Sequence, residues 1–148
     1  MDEELIRIYD VAASDLKSKI ESKILSGIPP PNAPSTIKKK GSSLPLVDTS
    51  ELLQNVEGRV FVDGDFATIG AGVFEDAGEE VLKKAVVNEY GSSRSIIAKK
   101  GYSYVAKIIE VPERSFIRST FDEEIENISD KISNEVLDYY LKKFMETK

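Results

Sequence analysis

Residues 56–90, VEGRVFVDGDFATIGAGVFEDAGEEVLKKAVVNEY, decide the fold class. Val56, Val60 and Val62 alternate with Glu57, Arg59 and Asp63, the period-two pattern of a half-buried strand. Asp63-Gly64-Asp65 is a turn signal, and Phe66 to Phe74 returns as a second strand with Ala67, Ile69, Ala71 and Val73 on one face. The two strands read as a hairpin. The period then changes. From Glu79 to Tyr90, Leu82, Ala85, Val86 and Tyr90 form one apolar helical stripe, with Val81 and Val87 at its flanks. Glu79 and Glu80 sit in the first turn, where the positive end of the helix dipole favours them, and Gly91 is a stop signal.

Toward the C-terminus, Ser95 to Val111 reads as a second hairpin turning at Lys99-Lys100-Gly101. Its return strand carries Tyr102, Tyr104, Ala106 and Ile108 on one face and Val105, Ile109 and Val111 on the other. A strand apolar on both faces is expected to be covered on both, by its own helices or by a neighbouring subunit. Thr120 and Glu123 form a capping-box pattern ahead of Ile125, Ile128, Ile132, Val136 and Tyr139. A second seam, Leu137, Leu141 and Phe144, lies beside that face. The spacing predicts a helix roughly 35 Å long.

Toward the N-terminus, Asp48-Thr49-Ser50-Glu51 reads as a capping box for a short helix with Leu52, Leu53 and Val56 inward. Ile28 to Val47 differs in kind. It holds Pro29, Pro30, Pro31, Pro34, Pro45, the run Lys38-Lys39-Lys40 and Gly41-Ser42-Ser43, a composition that favours extended, solvated chain, mobile in the free subunit. Before it, Ile6, Tyr9, Ala13, Leu16, Ile20 and Ile24 trace one face of a long helix from Glu3 to Ser26, closed by Gly27. The expected architecture is a single α+β domain over residues 1–148. A small, mainly antiparallel sheet of about four strands packs against two long terminal helices, with short helices between.

The composition narrows the chemistry. The 148 residues contain no Cys, no His and no Trp. Disulfide scaffolds, thiolate nucleophiles, the usual structural zinc sites and Ser-His-Asp or Cys-His catalysis are thereby excluded. The net charge of −6 disfavours bulk nucleic-acid binding. The acidic start, Met1-Asp2-Glu3-Glu4, and the lack of a long apolar run suggest neither a secretory signal nor a membrane span, and a cytosolic site of synthesis.

Four features could carry chemistry. Asp63 and Asp65 could meet a hard cation with Glu75, but Phe66 and Ala67 offer no further ligands, and a solvated turn is the favoured reading. Gly70-Ala71-Gly72 lacks the third glycine of a dinucleotide fingerprint, since position 75 is Glu75. Lys38, Lys39 and Lys40 could touch phosphates, although a solvated loop tip is favoured, and nothing rigid positions Ser42 or Ser43 as a nucleophile. Arg114 and Arg118, if helical, share a face and could clasp a partner's carboxylates. The alternative is internal pairing, for example of Arg118 with Asp122.

Three segments together resemble one protein family. Leu44-Pro45-Leu46-Val47-Asp48-Thr49-Ser50-Glu51-Leu52 resembles its P-L-x-D-T-G-x-L segment, with Ser50 in place of the glycine. Val87-Asn88-Glu89-Tyr90-Gly91 resembles its E-[YF]-G segment, and Val111-Pro112-Glu113-Arg114-Ser115-Phe116-Ile117-Arg118 its [IV]-P-x-R-x-F-[LI]-R segment. The family is the neck, or tail-completion and virion morphogenesis, group of tailed-bacteriophage proteins. The resemblance implies an α+β subunit of a homo-oligomeric ring in the virion, assembled in the host cytoplasm. That ring would join the portal-bearing head to the tail and let DNA pass without specific binding, with no catalytic residues, cofactor, metal or membrane.

On that reading the candidate protein-contact residues are Pro29, Pro30, Pro31, Lys38, Lys39, Lys40, Tyr102, Tyr104, Arg114, Phe116 and Arg118. Two other classes remain open: a monomeric adaptor binding a peptide at a strand edge and the 28–47 loop, and, ranked last, a metal-dependent hydrolase using Asp63, Asp65 and Glu75.

Overall fold

The computed structural model describes residues 1–41 and 50–147, and over these the chain is α+β. Helix α1 (Glu3–Ser26) is followed by short helices α2 (Pro34–Lys40) and α3 (Glu51–Gln54). Next come the strands β1 (Val56–Asp63) and β2 (Phe66–Val73), a 3-10 turn at Glu75–Ala77, and helix α4 (Glu79–Tyr90). Strands β3 (Ser92–Lys100) and β4 (Ser103–Val111) then lead to the long helix α5 (Arg118–Glu146).

Helix α1 is the centre of the fold. Asp2 caps it by accepting from the Glu4 amide at 3.0 Å, and Ala12, Ala13, Leu16, Ile20 and Ile24 are buried along one stripe. Ile6 and Tyr9, expected on that stripe, are half-buried near its end. One flank packs on the β1–β2 hairpin and the other on α5. The two long helices run antiparallel, joined by Lys23 to Glu123, Lys131 to Asp15 and Lys143 to Asp2. The hairpin comes so close to α1 that a Cβ added at Gly58 would lie 2.2 Å from the Ala13 carbonyl oxygen. Two small residues set that distance, and Val56, Phe116, Leu52 and Ile128 close the core around it.

The strands differ from one expectation. They form two separate two-stranded antiparallel sheets, β1 with β2 and β3 with β4, not a single sheet of four. The first hairpin is held under α1, whereas the second packs on itself and makes no more than marginal contact with any other element.

Local readings differ at three further places. The Ile28–Val47 segment is not extended throughout, because Pro34–Lys40 is helical. Pro34 stands at its start, where the missing amide costs nothing and φ is preset. Lys38, Lys39 and Lys40 lie in its last turn, favourable for the helix dipole, and Gly41 (φ 72°) closes it. On α4 the buried stripe is Val81, Ala85 and Glu89, while Val86 and Tyr90 face solvent and Leu82 is half-buried. The inward face is rotated toward a carboxylate that apolar periodicity ignores.

Helix α5 begins at Arg118 without the Thr120–Glu123 box. The Thr120 hydroxyl donates instead to the Phe116 carbonyl at 2.6 Å, and Glu123 takes Lys23 at 2.6 Å. At 29 residues α5 is longer than expected, about 43 Å. Asp48 and Thr49 of the other predicted box lie outside the described residues. Helix α3 has Ser50 before it with no side-chain cap, and Glu51 pairs with Lys84 of α4.

Candidate assembly surfaces

The segments of the second and third motifs meet at one junction. Glu89, in the last turn of α4, is 4 % exposed. Its Oε2 accepts from the amides of Phe116 and Ile117, both at 2.9 Å, and its Oε1 from the Arg118 amide at 2.9 Å and the Ser115 hydroxyl at 2.7 Å. These are the orphan donors at the start of α5, so a side chain from another helix provides the cap. Burial alone would push this carboxyl up. The donors from Ile117, Ser115, Arg118 and Phe116 outweigh that and hold it below the ordinary glutamate value.

The surrounding residues tie the same two segments. The Arg114 amide donates to the Asn88 carbonyl at 2.7 Å. The Arg118 guanidinium lies over the Tyr90 ring, 5.4 Å from its centre. Gly91 has φ 71°, and a Cβ there would meet the Glu113 nitrogen and the Val111 oxygen at 3.0 Å, so glycine suits both the conformation and the space. A cavity of about 620 Å³ beside the junction is lined by residues from all three motif segments, among them Leu52, Asn88 and Arg114.

The second hairpin projects from this junction as an arm. Its register, Lys100 opposite Ser103, leaves Gly101 and Tyr102 as the turn, with Gly101 at φ 62°. This is one residue further along than the expected Lys99-Lys100-Gly101 turn. On one face Ile97, Tyr104 and Ile108 are 77, 72 and 63 % exposed; on the other, Val105 is 46 % exposed, and Tyr102 at the tip is fully so. Of the two expected covers for a doubly apolar strand, the chain's own helices are not one. A second exposed apolar surface runs along the C-terminal half of α5, where Leu137, Tyr140, Leu141 and Phe144 are all more than half exposed.

The predicted contact residues separate into two groups. Pro29, Pro30, Pro31, Lys38, Lys39, Lys40, Tyr102, Tyr104 and Arg118 are accessible. Phe116 is not: at 0 % exposure it is a core residue. Arg114 is 7 % exposed, and its guanidinium donates inward to the carbonyls of Pro30 at 2.9 Å and Pro31 at 3.4 Å. Residues 112–117 are not helical, so Arg114 and Arg118 do not share a helix face. Arg118 pairs with Glu113, not with Asp122. Glu89 is the residue that apolar pattern-reading passed over; its signal was an acid at an inward position two residues before the helix stop.

Among the described residues, no group of three or more acidic side chains is placed to hold a metal ion, so Asp63, Asp65 and Glu75 do not assemble into one site. Nor is any described helix long and apolar enough to cross a membrane. Comparison with known proteins returned no matching family model, no matching curated protein and no matching solved structure.

Proposed function

We propose that the chain is a structural subunit of the neck of a tailed phage, assembling with copies of itself into a ring that joins the head to the tail. The observation that carries this reading is the β3–β4 arm. A two-stranded ribbon with apolar side chains bare on both faces gains little by standing alone in water, and its large exposed side chains call for a cover. The motif resemblance supplies the kind of assembly. Its E-Y-G and P-x-R-x-F-I-R segments are the ones that build the junction from which the arm springs.

Light scattering of the purified chain over a wide concentration range, with negative-stain electron microscopy of the heaviest fraction, tests it. Closed rings of uniform diameter are expected. A monomer at every concentration that also fails to bind isolated phage heads or tails would overturn the reading. In that case the free edges of the arm would suit a peptide-binding adaptor.

A further inference from the structure

We propose that the arm of one chain docks lengthwise on the outer face of α5 of a second copy, so that arm and helix are the two halves of one repeating contact. This deepens the ring reading and rests on it for the closure of the contacts into a ring. Three observations carry it.

The first is charge. Strands β3 and β4 hold four basic side chains, Arg94, Lys99, Lys100 and Lys107, against the single acid Glu110, within a chain of net charge −6. Helix α5 holds eight acidic side chains against four basic ones. Opposed potentials of this kind orient an encounter and fix its register.

The second is pattern. Asp122, Glu126, Asp130, Leu137 and Leu141 follow one another at steps of four, four, seven and four, which places them on one face of α5. All five are exposed. That face is acidic along its N-terminal half and apolar along its C-terminal half. The arm offers the matching pair of properties, with Ile97, Tyr104 and Ile108 on one face and Lys99 and Lys100 at its tip.

The third is length. Nine-residue strands span about 30 Å, and the nineteen-residue rise from Asp122 to Leu141 spans about 29 Å. Within one chain the arm makes no more than marginal contact with any helix, so α5 of its own subunit does not cover it. A contact between different patches of identical chains is head-to-tail, which closes into a ring when the rotation permits.

The chain has no cysteine, so an introduced pair reports unambiguously. Ile108→Cys in one preparation and Leu137→Cys in another, mixed and oxidised, are expected to give a disulfide-linked dimer containing both chains. Ile108 lies toward the root of the arm and faces the apolar half of α5 when the lysine tip meets the acidic half. Asp65→Cys, on the exposed β1–β2 turn, mixed with Leu137→Cys should give at least tenfold less. In parallel, an arm variant (Ile97→Glu with Tyr104→Glu) and a helix variant (Leu137→Glu with Leu141→Glu) should each stay monomeric, with circular dichroism unchanged because all four positions are exposed. Mixed, they should form a one-to-one pair, since each retains the half that the other lacks.

Cross-linking no better than the control, or assemblies that survive in both variants, would overturn the contact. Rings without the cross-link would leave the neck reading standing and remove this contact. The cross-link without rings would do the reverse.

Discussion

The carboxylate of Glu89 lies 2.9 Å from the backbone amide of Phe116, 27 positions along the chain, and both are buried. Glutamine at position 89 would keep the size but lose the charge, and would turn an amide donor toward other donors. Glu89→Gln is expected to lower the free energy of unfolding by about 2 kcal/mol, read from denaturant midpoints at unchanged slope. The folded-state pKa of this carboxyl is depressed, so its contribution is complete above the unfolded value and is lost as the pH falls through the folded one. The gap between wild type and variant should therefore be widest at neutral pH and close in acid.

Gly58→Ala should destabilise by about 2–3 kcal/mol, the cost of overpacking a contact that cannot relax. The new methyl would meet the Ala13 backbone, not the end of a flexible side chain, so β1 must lift off α1. A lower thermal midpoint checks it.

Ser50 has φ 58°, in the left-handed region where glycine is at ease and a Cβ is strained. It stands where the resembled family has glycine. Ser50→Gly is expected to stabilise by about 0.5 kcal/mol, the relief of strain slightly exceeding the added chain entropy. Ser50→Val should destabilise in the same assay.

Asp2 accepts from the Glu4 amide and from the Tyr139 hydroxyl and pairs with Lys143, so it caps α1 and pins the end of α5 together. The hydrogen bond from Lys143, then that from Tyr139, holds its carboxyl well below the usual range, and the Lys143 ammonium is held correspondingly high. This contribution is present above the unfolded carboxyl value and disappears only in strong acid. Asp2→Asn should speed hydrogen exchange at the first turn of α1 and the last turns of α5 and leave the centre of α1 unchanged.

Arg114 fastens the proline segment by donating to the Pro30 and Pro31 carbonyls. Arg114→Leu keeps an apolar stem but orphans those oxygens. Tryptic cleavage at Lys38, Lys39 and Lys40 should become several-fold faster in the variant, with the arm and helices intact.

What could be read from the chain follows the physics of each signal. Helix α1 and the β1–β2 hairpin were legible because their apolar periodicity is strict and their ends carry Gly27 and Asp63-Gly64-Asp65. The start of α5 was misread because its cap comes from Glu89 in space, where the sequence offers a plausible local box at Thr120 and Glu123. Helix α2 was hidden by its prolines, which discourage helix everywhere except at the first turn, where Pro34 stands. The arm's doubly apolar strand was legible as a demand for cover, but a single chain does not say what supplies it. Buried Phe116 and Arg114 show the same limit, since a motif marks residues that matter without saying whether they face a partner or the core.

The junction also fixes how the arm answers to load. Its two roots, Ser92 and Val111, emerge from one knot in which Gly91, the Asn88–Arg114 bond and the Glu89 cap lie within a few residues of each other. A ribbon clamped at both roots is a cantilever, not a tether. Bending at its tip is resisted at the root, which is joined through Gly91 to the end of α4 and through residues 112–117 to the first turn of α5. A push on the tip is therefore borne by α4 and α5 together, at the place where the Glu89 carboxylate joins them.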